Sequence, residues 1–343
     1  RNISLKDLTN TFLQHWRDKT GTPENFVGTF LPPDMEWFED YDALLKEGTL
    51  PSGSDIMDKL SRRLSWEIAS EFTFRSRIGR TLERTASAIA ATDGQLLSIA
   101  AKELAELMSE RQERFRTIDT QSLPWVQLLW GIVFRMKNVG AINESAIQPL
   151  FSYGSTFPFH RMHRHMPSFA KRSPHVVTDK PSKSIHEALC ATDKRISWFE
   201  YWIDKCRNQL LKDFDFDNPA EDAELLHSAI EVLLEKGIVN AFPLDDSKSG
   251  LVLNTSALQI SDRVTRFRCS VCGNGIEAAD SDTATVNELP CLRNGCPGKY
   301  YTDTRLSSDY YKNFYRRGEV VRINGREHTG LLEGKERKIL EES

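Results

Sequence analysis

Four cysteines confined to the 28 residues from Cys269 to Cys296 constrain this chain more than any other feature of it. Cys269 and Cys272 are separated by two residues, Cys291 and Cys296 by four, and eighteen residues lie between the pairs. Two thiols spaced by two residues can reach one ion from a tight turn, and Gly273 behind them suits the left-handed backbone such a turn uses. The second pair carries its own turn, Asn294-Gly295. Its wider spacing departs from the strict two-residue gap but stays within the range of zinc-ligand separations. Four thiolates fill a tetrahedral shell and leave no position for water or substrate. The expected ion is therefore a structural Zn2+ that folds the segment rather than a catalytic one. A redox pair or two disulfides are the competing uses of the same residues.

Composition sets the frame around that cluster. At 343 residues the chain is long enough for two or three compact units. No stretch approaches the roughly 20 apolar residues that span a bilayer, so no membrane passage is expected. A net charge of −4 excludes binding to nucleic acid through bulk charge; any such binding must use local patches. Six cysteines without a secretory signal imply a reducing compartment, and the expected location is cytoplasmic. The chain starts Arg1-Asn2-Ile3 and stops at Glu341-Glu342-Ser343 inside a helix-like pattern, so it reads as a piece of something longer.

The expected fold class is mainly α with small β elements. Apolar residues recur at helical spacing across 1–150, as in Ile56, Leu60, Leu64, Ile68 and again in Leu97, Ala101, Leu104, Met108, which predicts a helical bundle. Pro32-Pro33 interrupts it, and Asp34 is a candidate N-cap for a helix through Leu45. The segment Arg77 to Arg84 reads as a solvated helix face, with a functional basic turn as the alternative. Near 125–150, a helix ending in Gly140 and a strand-like step suggest a weak winged-helix-like unit. Residues 151–184 lose the helical signal and form a basic linker. Two helices and a hairpin, with strands expected over 237–242 and 251–254, then give 185–262 the pattern of a winged-helix domain. Its wing or second helix contacts DNA, or the unit only packs against neighbours; the wing tip is acidic before Lys248. The zinc unit occupies 263–305, and 306–343 forms a last segment.

Several other residues invite function. Arg161, Arg164, Lys171 and Arg172, among His160, His163 and His165, form a basic surface able to meet phosphate, or the histidines bind a second metal. Arg316, Arg317 and Arg322 form another basic cluster, beside which Tyr311, Phe314 and Tyr315 could stack on unpaired bases or form the apolar face of a helix. Cys190 and Cys206 fall on predicted helices and read as small hydrophobes.

The run from Glu319 to Glu342 places a strand, then His328-Thr329-Gly330, then a helix bearing Arg337. This β-turn-α piece resembles the second RecA-like lobe of superfamily 2 helicases. It is most similar to the large bacterial DEAD/DEAH-box helicases of phage-defence systems such as Druantia and DISARM. The resemblance extends less specifically back through Leu31 to Asp34, the Arg77–Arg84 stretch, the winged-helix pattern and the cysteine pairs. It implies an accessory, inter-lobe region of an ATP-dependent DNA helicase. The partners it implies are DNA, single-stranded or forked, and the remaining helicase lobes of the parent chain. ATP and Mg2+ belong to that parent only. No glycine loop precedes Gly334-Lys335-Glu336 and no Ser or Thr follows the lysine, so no phosphate-cradling motif is present and no catalytic residue is expected. Two other readings remain: a freestanding zinc and winged-helix adaptor for DNA or protein, and a nuclease built on the histidine cluster, which lacks a paired acidic motif.

Overall fold

The structure, a computed structural model, describes residues 3–31, 38–73, 82–111, 123–145, 148, 151, 175–183, 185–193, 195–211, 219–245 and 248–304. About half of these are helical, with three small sheets and no barrel. None of the described helices is long and apolar enough to cross a membrane.

The chain opens with β1 (Ile3–Ser4) and α1 (Leu5–Thr20). Ser4 caps α1 by accepting from the Asp7 N–H at 3.1 Å, and Gly21 at φ 75° closes it by donating to Arg17 O. Thr22 caps α2 (Pro23–Phe30), where Pro23 sits in the first turn and no N–H is missed. Next come α3 (Phe38–Glu47) and α4 (Ile56–Thr73). Residues 32–37, including the candidate cap Asp34, lie outside the described residues, as do 74–81 of the Arg77–Arg84 stretch. Ile56, Leu60 and Leu64 of α4 bury against Phe26, Val27, Leu31 and Leu44 to form a small core of these four helices. Ile68 is only half-buried; the inward stripe passes instead to Trp66, Ala69 and Phe72.

Strand β2 (Ile89–Thr92) leads into α5 (Gly94–Arg111) and α6 (Leu123–Asn138). Leu97, Ala101, Leu104 and Met108 of α5 face the main core, as their spacing predicts. Helix α6 is apolar on every side and buried from Gln127 through Phe134, the pattern of a helix enclosed by other layers. After it come β3 (Val176–Thr178), β4 (His186–Ala188), α7 (Trp198–Gln209), α8 (Pro219–Glu235) and the hairpin β5 (Val239–Asp245) with β6 (Lys248–Leu253). The chain then forms β7 (Leu258–Ser261), β8 (Val264–Cys269), β9 (Gly275–Ala279), the single-turn α9 (Thr283–Val286) and β10 (Tyr300–Thr302).

The sheets tie distant segments together. β7 is the centre of the order β1-β7-β2, with Ile3 opposite Ile260 and Ala90 opposite the same residue on the other side. The second sheet is β10-β8-β9, and the third is β4-β3-β6-β5. In the third, β6 is antiparallel to both β3 and β5, while β4 adds parallel to β3.

Three expectations need correction. Residues 1–150 are not one helical region: α1 to α3 and the first part of α4 share a small core, Trp66 and Ala69 of α4 join α5 and α6 in the main one, and β1 and β2 are strands whose partner lies beyond residue 257. The step after α6 is not a separate unit either, because Ile142 bridges Leu253 of β6 and so joins the hairpin's own sheet. The linker 151–184 ends in strand β3, with Val177 opposite Leu251; its residues 152–174 lie outside the described ones.

One close approach organises the middle of the molecule. A Cβ on Gly131 of α6 would stand 2.2 Å from the Trp202 ring of α7. Trp202 is fully buried, stacks on Trp198 at 5.6 Å, and donates its indole N–H to Leu128 O at 2.9 Å, so it has nowhere to retreat. Gly131→Ala gains up to about 1 kcal/mol of helix propensity, but overpacking of this kind costs about 1–3 kcal/mol, and more when the neighbour is pinned. Urea denaturation should show a net loss of about 1–2 kcal/mol from those opposing effects; an unchanged midpoint would show that the indole moves freely.

Candidate metal centre

The centre is assembled from two turns that face each other across the second sheet. β8 delivers Cys269 at its end, and the turn that follows closes when the Gly273 N–H donates to Cys269 O at 3.1 Å and the Cys269 N–H to Asn274 O at 2.9 Å. Gly273 sits at φ 68°, where a side chain would be strained. The second turn is clamped by the Cys291 N–H donating to Gly298 O at 2.8 Å and by Gly295 at φ 72°.

These turns bring all four thiols together. Cys269 Sγ lies 3.6 Å from Cys296 Sγ, and Cys272 Sγ lies 3.6 Å from Cys291 Sγ; one Sγ from each cysteine falls within 4.8 Å of the rest. A disulfide would require about 2.05 Å, so neither pairing is oxidised. A tetrahedral ion with bonds of about 2.3 Å sets its sulfur atoms about 3.8 Å apart, which is close to the spacing here. The cluster is therefore geometrically able to bind a metal ion such as zinc, with a closed four-thiolate shell.

The protonation of the thiols fits the same use. Burial raises the Cys272 thiol, but the Asn274 backbone and the three neighbouring thiols outweigh it and bring the pKa down to about 6. Burial pushes the Cys291 thiol up to about 12, against the Arg293 backbone and the Tyr300 hydroxyl. A divalent ion would supply the positive charge that favours the thiolate form. Tyr300 is fully buried beside them, and its hydroxyl accepts from Asn274 Nδ2 at 2.6 Å while lying 3.7 Å from Cys291 Sγ.

A second layer holds the metal loop against α7. The Lys205 ammonium, 5% exposed, donates to Cys291 O at 2.6 Å, Arg293 O at 2.8 Å and Cys296 O at 3.0 Å. Its three protons meet three carbonyls of one turn. Trp198 Nε1 donates to Leu292 O at 3.0 Å, and the Gly295 N–H donates to the Tyr201 hydroxyl. From the other side, Gln127 of α6 donates to Thr285 O at 2.8 Å, and Trp130 Nε1 donates to the buried Asp282 carboxylate at 3.1 Å. Sequence reasoning missed these residues, since nothing local marks Lys205 or Gln127 as a partner of a turn some 90 or 160 positions away.

Arg161, Arg164, Lys171, Arg172, Tyr311, Arg316, Arg317, Arg322, His328, Thr329, Gly330 and Arg337 lie outside the described residues, as does the histidine cluster of 160–165. A basic feature that the sequence reading passed over is visible instead on β8. Arg266 and Arg268 project from one face of the strand while Phe267 and Cys269 fill the other, and Tyr301, 43% exposed, stands opposite Arg268 on β10. The alternation Arg266-Phe267-Arg268-Cys269 was the available signal.

Elemental analysis of the purified chain should find one tightly held metal ion, lost in the double variant Cys269→Ser, Cys291→Ser. Lys205→Met should leave three buried carbonyls without a donor and lower stability by about 3 kcal/mol or more, with faster metal loss to a chelator. Retention equal to the parent chain would remove Lys205 from the support of this centre. Comparison with protein-family models, curated proteins and solved structures returns no match for the chain.

Proposed function

We propose that this chain is the accessory, nucleic-acid-handling region of an ATP-dependent DNA helicase or translocase of antiviral defence. In this reading α6 to β6 form a winged-helix unit, and β8 to β10 form a unit folded around a structural Zn2+.

The observation that carries the reading is a connectivity. Helix α6, strands β3 and β4, helices α7 and α8, and hairpin β5–β6 follow one another, and the strands pair in the order β4-β3-β6-β5, with β4 as an added parallel edge strand on β3. Helix, strand, two helices and a winged hairpin is the succession of a winged helix, and here it shares one continuous core with the four-thiolate sheet. The closed thiolate shell suits zinc in a structural role, because no ligand position is left for chemistry. The helicase assignment rests on the resemblance of the 319–342 stretch, and the motor chemistry belongs to the parent protein.

Charge decides which surface meets the nucleic acid. Helix α8 holds the place of a reading helix, yet it carries Glu221, Asp222, Glu224, Glu231 and Glu235 and no lysine or arginine. Such a helix is repelled by phosphate, so the winged unit serves as a packing scaffold. The face bearing Arg266, Arg268 and Tyr301 offers charge for phosphate and a ring for an unpaired base. It is a mixed face: Glu277 stands opposite Arg266, and Asp303 holds Arg268 at 3.2 Å. Binding is accordingly weak and strongly salt-dependent, and single strands or forks are preferred over blunt duplex.

Fluorescence anisotropy across a salt series tests this. Arg266→Glu with Arg268→Glu should weaken forked-DNA binding severalfold and reduce the log-log salt slope by about 1–2, since each phosphate contact contributes about 0.7–0.9. Thermal stability should change little. Unaltered affinity at low salt would take the β8 face out of the binding surface. The chain itself should release no phosphate from ATP; turnover that follows the protein through purification would contradict the placement of the motor elsewhere.

A further inference from the structure

The far end of the third sheet gathers three metal-ligating side chains that play no part in the four-thiolate centre. Strands β3 and β4 run parallel, with Thr178 opposite Ala188, so both leave the sheet at the same end. Asp179, one residue beyond β3, and Cys190, two beyond β4, therefore come together: Cys190 Sγ lies 3.7 Å from Asp179 Oδ1. His227 of α8 completes the group, and one ligand atom from each of Asp179, Cys190 and His227 lies within 4.8 Å of the others. A tetrahedral ion with bonds of about 2.0–2.3 Å spaces such ligands about 3.5 Å apart. Small rotations of exposed side chains close that difference.

A second observation prepares the histidine. Its Nδ1 lies 2.7 Å from Ala223 O. A carbonyl has no proton to give, so Nδ1 donates and Nε2 is the ring nitrogen left for a ligand. Metal-bound histidines are commonly held this way, with the second ring nitrogen donating to a carbonyl or carboxylate. Asp179 and Glu200 both load negative potential onto the Cys190 thiol, which a cation would neutralise.

We propose that Asp179, Cys190 and His227 form a second divalent-metal site of the Zn2+ class, which ties the β3–β4 edge of the sheet to α8. One thiolate, one carboxylate and one neutral imidazole balance the charge of a divalent ion. That donor set selects zinc and its late first-row neighbours over Mg2+ or Ca2+, which take oxygen ligands. Three protein ligands leave a fourth position for water. Asp179 and His227 are exposed, so this ion exchanges with solvent and is held more weakly than the one enclosed by four buried or half-buried thiols. The reading of Cys190 as a small hydrophobe gives way to that of a ligand; Cys206, fully buried, keeps it.

The test uses the full chain with the four-cysteine centre filled by Zn2+, titrated with Co2+ while the thiolate-to-cobalt charge-transfer absorption and the zinc in the filtrate are both read. One further equivalent of Co2+ should bind with a single-thiolate band and no zinc release, and Cys190→Ser should abolish the band. Asp179→Ala and His227→Ala, both at exposed positions, should each weaken Co2+ binding about tenfold or more, with zinc retention and the thermal melt unchanged. If Cys190→Ser fails to fold, these two variants decide. No band, a band that survives in Cys190→Ser, unchanged affinity in both alanine variants, or zinc released in step with the band would each overturn the proposal.

Discussion

The Lys205 ammonium is the centre of the junction between the second cysteine turn and α7, which Trp198 and Tyr201 complete. Lys205 is buried on α7, and its only described oxygen partners are three carbonyls of the turn that carries Cys291 and Cys296. A buried cation is costly unless it is fully hydrogen-bonded, and those carbonyls provide that. A divalent ion among four thiolates would leave two negative charges in the interior, of which the Lys205 ammonium offsets one. The Tyr201 ring, 4.7 Å from the same nitrogen, adds a cation–π contact to the ammonium. Helix and turn thus depend on one another: without the turn the lysine is an uncompensated charge, and without the lysine the turn's carbonyls face apolar surroundings.

From that junction the order of the other layers follows. α7 is held to α6 by the Trp202 ring against Gly131, and α6 in turn is held by Lys137, whose ammonium donates to Glu83 at 2.8 Å and to Ala90 O at 2.7 Å. Burial raises the Glu83 carboxyl and Lys137 opposes it, which is the balance of a buried pair rather than a surface one. The chain of contacts therefore runs from the thiolates through α7 and α6 to β2, where the first helices attach. Arg135, over the Trp198 ring and paired with Glu187, fastens α6 to β4 along the way.

How much of this the sequence disclosed depends on the distance over which each feature is encoded. The cysteine pairs were legible because two-residue and four-residue gaps are local geometry, and Gly273 and Gly295 mark their turns in the same few residues. The α5 face was legible through its period. The hairpin was legible as an object, but not in extent: its arms reach Asp245 and Lys248, well into the expected turn, because β5 and β6 go on pairing with each other past an irregularity between Pro243 and Asp245. The small sheet of β1, β7 and β2 was invisible. Its first strand has two residues and its partners lie more than 250 positions away, so neither alternation nor turn chemistry can announce it. Lys205, Gln127 and Gly131 share that fate, since their roles exist only once distant elements meet.

That small sheet has a consequence for how the chain comes into being. Its central strand, Leu258–Ser261, is made last, while both flanking strands are complete once residue 92 has left the ribosome. At synthesis rates of about 5–20 residues per second, the flanking strands wait on the order of ten seconds or more for their common partner. During that interval Ile3–Ser4 and Ile89–Thr92 have open backbone edges, and Phe72 and Leu5 lack the Leu258 side chain that covers them. The first four helices can settle around their own core in the meantime, but their docking is postponed until the hairpin has passed. Assembly of this sheet is therefore timed by the four-residue strand Leu258–Ser261, and a pause in translation between residues 92 and 258 lengthens the period in which the early edges are exposed to other chains.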